Sequence, residues 1–216
     1  MLRRPASPGG DALSAGLVTN LARPSGNVTG STYFLSELMA KRLELLKAAM
    51  PQITKAAVLV NPSNPLFDTT LKALETAAKS LNVGLQQFKV GGPTEFEGAF
   101  LAMAKERVDA VVIQEDAVFV SSTEAIVRLA SMQRLPLAGN HELAEAGGLI
   151  GYGVDFLAMC RRAAVFVSTI LKGGKPASIP VEQATKFALV INLKTAKTLG
   201  ITMPLPLIGR ADAMIE

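Results

Sequence analysis

The chain has 216 residues, 49% of them hydrophobic, so it can bury a core as one large domain or as two small lobes. This composition excludes a wholly disordered chain, and no apolar run approaches the roughly 18 residues that span a bilayer. The formal net charge is +4, yet the 22 basic residues are scattered and only two tyrosines could stack on bases, which argues against nucleic acid as a partner.

Neither the single cysteine nor the opening residues indicate a disulfide, a metal site or an export signal. Cys160 cannot form an internal disulfide, and no second thiol completes a metal or redox pair, so we expect it to pack within a helix. Arg3 and Arg4 lead into Pro5 and Pro8 rather than into the apolar run of a secretory signal. The sequence therefore predicts no export signal in this chain.

Strand-like and helix-like segments alternate from Lys55 onwards, which predicts βαβ units, a mainly parallel sheet and the α/β fold class. The helix over residues 65–81 illustrates the pattern, because its apolar residues recur at spacings of three and four and Asn64 is placed to cap it. In chain order we predict a helix over 37–50, a strand over 56–60, a helix over 65–81, a strand over 83–90, a helix over 94–105, a strand over 110–114, a helix over 121–133, strands over 135–138 and 149–151, a helix over 155–171, a strand over 186–191 and a helix over 193–199.

Common enzyme signatures are missing from this α/β pattern. There is no G-x-G-x-x-G after a strand, no phosphate-binding G-x-x-x-x-G-K-[ST] and no G-x-S-x-G elbow. His141 is the only histidine, and Glu145 stands where a zinc helix would have its second one. Glu115 and Asp116 follow a buried strand, but no nucleophile or second base is evident beside them. We predict no catalytic residue, no metal and no cofactor, and a ligand-facing or capping role for Glu115 and Asp116.

Ligands of open parallel sheets bind outside the carboxyl ends of the strands, so the loops at those ends are the candidates for a solute site. They are rich in short polar side chains and carry a few aromatics, a mixture that suits a small polar solute. The candidate ligand-binding residues are Ser31, Thr32, Asn61, Ser63, Asn64, Asp116, Asn140, Tyr152 and Asp155.

Three of these residues point to charged groups on a solute. Ser63 and Asn64 precede a helix whose free N–H groups favour an anion such as a carboxylate, although Asn64 could equally serve only as the cap. Asp155 could pair with an ammonium group or merely cap the helix that it begins.

Short motifs along nearly the whole chain from Gly10 follow one another in a specific order. They include Gly16-Leu17-Val18, Leu21-Ala22-Arg23-Pro24, Gly26-Asn27-Val28-Thr29-Gly30, the segment Lys41 to Lys47, Asn61-Pro62 with Asn64-Pro65, residues 145–149, Tyr152-Gly153 with Asp155, residues 170–176, Pro180-Val181-Glu182-Gln183 and residues 190–196. In this order they resemble the ABC-transporter substrate-binding proteins that include the tryptophan and tyrosine binders. Val154 and Ala117 depart from the family pattern, which has proline at both positions.

The resemblance implies Rossmann-like lobes of the type I periplasmic binding fold with the opening part of the first lobe missing. Residues 1–26 would be a remnant of the first lobe, 27–151 the second lobe, 152–185 a return segment packing on the first lobe, and 186–216 the last crossing and C-terminal helix. The face left by the missing part would favour a homodimer.

The implied function is the capture of a small molecule, an amino acid or an aromatic carboxylate, between two closing lobes and its delivery to a membrane permease in the periplasm. No bond is made or broken. By resemblance, Ser63 and Asn64 would bind a carboxylate, Asp116 and Asp155 a polar or ammonium group, and Tyr152 an aromatic or aliphatic body. The alternatives are an effector-sensing module without a transport role and a small α/β enzyme that depends on Asp116 or His141.

Overall fold

The computed structural model describes residues 11–216, and this part of the chain divides into two compact units. The smaller unit contains residues 11–35 and 154–187, and the larger unit contains residues 36–153 and 188–216. The prediction about an export signal concerns residues 1–10, which lie outside the described residues. The assignment of the two units to lobes of a binding protein stays a prediction.

The strands and helices follow one another in the alternation that the sequence predicts. The strands are β1 (Ser31–Thr32), β2 (Lys55–Val60), β3 (Gly84–Lys89), β4 (Ala110–Ile113), β5 (Leu137–Gly139), β6 (Ile150–Val154), β7 (Glu182–Gln183), β8 (Phe187–Asn192) and β9 (Ala213–Ile215). The helices are α1 (Leu35–Ala49), α2 (Phe67–Ser80), α3 (Phe96–Lys105), α4 (Ala117–Val120), α5 (Thr123–Met132), α6 (His141–Glu145), α7 (Phe156–Leu171), α8 (Leu193–Leu199) and α9 (Leu205–Ile208).

A seven-stranded sheet with the spatial order β3-β2-β4-β5-β6-β8-β9 forms the centre of the fold. The pairs β2–β3, β2–β4, β4–β5, β5–β6 and β8–β9 are parallel, which confirms the mainly parallel sheet. The central strands β2 and β4 are short apolar runs, and the helices that connect them cover both faces, so their side chains are excluded from water.

A single apolar cluster on one side of this sheet contains most of the large side chains of α3 and α5. Phe96, Phe100 and Ile126 pack there against Leu59 and Val111, and all five are almost completely buried. Burial of each such side chain stabilises the folded state by roughly 2 kcal/mol. This packing holds β2 and β4 side by side and therefore fixes where their carboxyl ends lie.

The smaller unit has a more modest core. Its strands β1 and β7 pair in parallel over two residues, with Ser31 opposite Glu182. Ala12, Val18 and Val181 form its apolar cluster, and the rings of Tyr33 and Phe156 meet edge to face with centroids 6.0 Å apart.

Some expectations about local structure are wrong. Asn64 does not cap α2, because that helix begins at Phe67 after Leu66, and the Asn64 side chain instead accepts a hydrogen bond from the Leu66 N–H at 2.9 Å. Pro65 has no N–H, so Asn64 closes a local turn across it. Cys160 lies on α7 as expected but is exposed rather than packed.

None of the helices between residues 11 and 216 is long and apolar enough to cross a membrane. Within the same range, no group of three or more His, Cys, Asp or Glu side chains is arranged to hold a metal ion.

Asp109 joins the amino ends of β2 and β4, and its removal should weaken this junction. Its carboxylate accepts hydrogen bonds from the backbone N–H groups of Thr54 and Lys55, both at 2.9 Å, and from the Thr54 hydroxyl at 3.2 Å. Partial burial opposes ionisation of Asp109, but these hydrogen bonds outweigh it and hold the pKa below the ordinary 3.8. We expect Asp109→Asn to lower the free energy of unfolding by about 0.5–1 kcal/mol at pH 7, after discounting for solvent exposure.

Because the folded-state pKa is depressed, the stabilisation by Asp109 is present above its unfolded pKa and is lost as the pH falls through the folded value. Urea denaturation of the wild type and of Asp109→Asn should therefore give a difference at pH 7 that shrinks as the pH falls below the ordinary aspartate value of 3.8. Glu145→Gln, at an exposed position, is the control. A difference that stays constant over this range would contradict the assignment.

Candidate functional site

The carboxyl ends of β2, β4, β5 and β6 lie at the same edge of the sheet, because these strands pair in parallel. In open parallel sheets this is the edge where ligands bind. Polar residues follow three of the four strands: Asn61, Ser63 and Asn64 after β2, Asp116 after β4 and Asn140 after β5. Tyr152, which we expected in a loop, lies within β6 because that strand extends to Val154.

Asp116 brings the loops after β2 and β4 together. The side-chain amide of Asn61 donates to one carboxylate oxygen of Asp116 at 3.1 Å, and the amide of Asn64 donates to the other at 2.8 Å. The backbone N–H of Val118 donates to the first oxygen at 2.9 Å, so Asp116 also caps α4. Thus three of the predicted site residues form one hydrogen-bonded cluster, which we call the Asn–Asp cluster (Asn61, Asn64 and Asp116).

The start of α2 offers fewer donors than the sequence led us to expect. The N–H of Ser63 donates to the Asn61 side chain, the N–H of Asn64 to the Asn61 carbonyl, and the N–H of Phe67 to the Asn64 carbonyl. These groups are therefore engaged within the loop itself. Donors near the Asn–Asp cluster include the hydroxyl of the exposed Ser63 and the second hydrogen of each asparagine amide.

Asn140 and its neighbours are mainly structural in this arrangement. The side-chain oxygen of Asn140 accepts from the N–H of Leu143 at 3.1 Å and caps α6, while the residue itself is 8% exposed. The β6 backbone passes close beneath it, since a Cβ added at Gly151 would lie 2.8 Å from the Asn140 carbonyl oxygen. His141 directs its Nε2 to the Ala188 carbonyl oxygen at 2.8 Å, so its ring donates a hydrogen bond there.

A buried ion pair that we did not predict lies behind the same edge. Arg42 on α1 is completely buried and places one terminal nitrogen 3.0 Å from a carboxylate oxygen of Glu115. Glu115 therefore faces the interior and not a ligand. The sequence held a signal for this, because position 42 lies four residues after Leu38 and three before Leu45, on the apolar stripe of the helix.

In the smaller unit, Ser31 and Asp155 line one pocket of about 170 Å³. One carboxylate oxygen of Asp155 accepts from the N–H of Ala158 at 2.8 Å, so the capping role that we considered for it is realised. Thr32 is not accessible: it is 1% exposed, and its hydroxyl accepts from the N–H of Ala12 at 2.9 Å. Thr32 thus packs within this unit, and its contact with a solute stays a prediction.

Charges of both signs line this pocket. Arg162 donates from Nε to a carboxylate oxygen of Glu182 at 2.6 Å and from a terminal nitrogen to the other oxygen. The Arg162 hydrogen bonds hold the pKa of Glu182 below its ordinary value, and Glu182 raises the pKa of Arg162. Both groups are therefore charged at neutral pH, next to Asp155 and Lys186 in the lining.

Sequence comparison places the chain beside known binding proteins. Residues 6–215 match the model of a family described as ABC transporter substrate binding protein. A curated protein of Clostridioides difficile, named tyrosine-binding protein, is 27% identical over 192 residues, which are 88% of this chain and 55% of that protein. The chain thus spans about half the length of this relative.

Structural comparison gives the same result. The crystal structure of an ABC domain in complex with L-Trp from Streptococcus pneumoniae superposes with a TM-score of 0.87 at 27% identity, over 95% of this chain and 71% of that one. The structure of a conserved domain protein from Vibrio cholerae also has a TM-score of 0.87 at 27% identity, over 94% of this chain and 68% of that one.

Proposed function

Because the chain belongs to the family of ABC transporter substrate-binding proteins, we propose that it captures an amino acid or an aromatic carboxylate for an ABC importer. Its fold is that of the type I periplasmic binding proteins, as we expected. The names of two relatives support an aromatic amino acid as the solute, since one is a tyrosine-binding protein and another contains L-Trp. Delivery to a membrane permease and a location in the periplasm are part of the same proposal.

The observation that carries the proposal is the Asn–Asp cluster at the carboxyl edge of the sheet. The Asp116 carboxylate has about four lone-pair positions, of which three accept the hydrogen bonds from Asn61, Asn64 and Val118. The remaining position can accept a hydrogen bond from a ligand ammonium group. The Ser63 hydroxyl and the second N–H of the Asn64 amide can donate to a ligand carboxylate, and the half-buried Tyr152 offers a ring for an apolar body.

The pocket of the smaller unit supports the same class of solute. Asp155 can accept from an ammonium group, while Ser31 and Lys186 can donate to a carboxylate. A zwitterionic amino acid matches a lining that contains both signs of charge. Asn140 stays in the proposed site as a residue that shapes the edge through its cap of α6.

A catalytic role is not favoured by the same contacts. Three donors hold Asp116, and the Ala188 carbonyl oxygen holds the His141 ring, so neither group is poised to move a proton. A ligand-sensing module would share the proposed solute site and differ only in its partner, and we place the chain in transport because its family does.

A thermal-shift screen tests the proposed site. A ligand that binds only the folded state stabilises it, by about 2.7 kcal/mol at a concentration 100 times the Kd, so L-Trp or L-Tyr should raise the melting temperature by several degrees. We expect Asn64→Ala and Asp155→Ala to reduce this shift strongly. Gln52→Ala changes an exposed amide just before β2, at the opposite edge of the sheet, and should leave the shift unchanged. No shift of the wild type with any amino acid or aromatic carboxylate would contradict the proposal.

We further propose that the chain forms a homodimer, and the surface of helix α7 supports this pairing. No acidic residue occurs in α7, and Phe166 is its only buried residue. Leu157, Val167 and Leu171 are 69%, 56% and 82% exposed, and with Cys160 and Ala164 they continue a spacing of three and four along one stripe. Such a spacing is typical of helices that pack against another helix, and a stripe without charge is compatible with its own copy.

Sedimentation equilibrium tests this pairing. We expect the wild type to form a dimer and the double variant Val167→Glu/Leu171→Glu to be a monomer, because burial of carboxylates in an apolar seam is costly. Met132→Glu, at a position 71% exposed on α5, is the matched control and should remain a dimer. A monomeric wild type would contradict the pairing, and a dimer that survives the double variant would exclude α7 as its interface.

A further inference from the structure

Arg42 connects three parts of the larger unit that are distant in sequence. Its Nε donates to the Tyr152 carbonyl oxygen at 2.8 Å, and one terminal nitrogen donates to the Ile113 carbonyl oxygen at 3.3 Å. The other terminal nitrogen donates to Glu115 at 3.0 Å. One planar side chain from α1 thereby holds the end of β4 and the middle of β6 in a fixed relation.

The ion pair of Arg42 with Glu115 is a weak source of stability in its own right. Removing two charges from water is costly, and an apolar pair of similar volume often stabilises a protein equally well. Glu115 is incompletely satisfied, since its second carboxylate oxygen is buried without a hydrogen-bond partner among the described residues. We therefore expect the Arg42–Glu115 pair to fix the positions of the strands that it connects rather than to add much net stability.

The contacts of Arg42 with Ile113, Glu115 and Tyr152 lead to the candidate site. Glu115 immediately precedes Asp116 of the Asn–Asp cluster. Gln114, the residue before it, accepts from the backbone N–H of Asn61 at 2.9 Å. The Tyr152 carbonyl belongs to the residue whose ring is the proposed aromatic contact.

We propose that Arg42 is a positioning residue of the solute site: it contacts no solute, but its planar donor fork sets the relative placement of Asp116, Asn61 and Tyr152. The inference rests on the proposed function, because it concerns the affinity of that same site. The fork is essential to it, since a lysine would keep the charge beside Glu115 but present a single nitrogen that cannot serve both carbonyl oxygens and the carboxylate in one plane.

The variant Arg42→Lys separates positioning from charge balance. A role limited to neutralising Glu115 predicts that lysine restores both stability and affinity. The positioning role predicts a folded protein whose Kd for L-Trp or L-Tyr, measured by isothermal titration, is weaker by about tenfold or more. The pair Lys55→Met/Glu106→Gln removes an exposed ion pair far from the carboxyl edge and should leave the Kd unchanged.

A second variant covers the case in which Arg42→Lys fails to fold. Arg42→Met/Glu115→Leu removes both buried charges together, so no uncompensated charge remains, and we expect a cooperatively folded protein with the same loss of affinity. A Kd within about twofold of the wild type in either folded variant would overturn the inference.

The positioning role of Arg42 can also be tested without a solute, by NMR spectra of the unliganded protein. The side-chain amide signals of Asn61 and Asn64 in NMR spectra report their hydrogen bonds to Asp116. We expect these signals to shift in both Arg42 variants and to stay in place in Lys55→Met/Glu106→Gln. If the wild type binds no amino acid or aromatic carboxylate, the proposed function fails, while unchanged asparagine signals in the Arg42 variants would overturn the positioning role independently.

Discussion

A guanidinium group without any exposed surface constrains the larger unit more than any other single group. Inside the protein, Arg42 must be neutralised and hydrogen-bonded, and its partners are Glu115, the Ile113 carbonyl oxygen at the end of β4 and the Tyr152 carbonyl oxygen within β6. The loops that follow those strands are consequently held to one geometry. Asp116 of the Asn–Asp cluster is the residue after Glu115, so the form of the cluster depends on where β4 ends.

The amino edge and the carboxyl edge of the sheet differ in how their aspartates are hydrogen-bonded. At the amino edge, the Asp109 carboxylate connects the beginnings of β2 and β4, because it accepts hydrogen bonds from the backbone N–H groups of Thr54 and Lys55 and from the Thr54 hydroxyl. At the carboxyl edge, Asp116 makes comparable contacts through two asparagine side chains and retains capacity for a further donor. This difference explains how one parallel sheet can have a closed edge that stabilises the fold and an open edge that suits a solute.

The sequence predicted the βαβ alternation well, because buried strands such as β2 and amphipathic helices such as α2 carry strong local patterns. Some short elements, namely β1, β7 and α6, were missed since they are too short to show a period. Positions decided by tertiary contacts also escaped prediction: the burial of Thr32 depends on the N–H of Ala12, and the role of Arg42 depends on a carboxylate more than seventy residues away. The gathering of Asn61, Asn64 and Asp116 was predictable from the parallel order of the strands.

An NMR titration of the ¹⁵N-labelled chain with L-Trp tests directly whether a solute binds at the carboxyl edge of the sheet. We expect saturable shifts of the backbone and side-chain amides at residues 61–64, at Asp116 and at Tyr152, with little change around Asp109 at the amino edge. Saturable binding that shifts other amides and leaves residues 61–64 and Asp116 in place would contradict it.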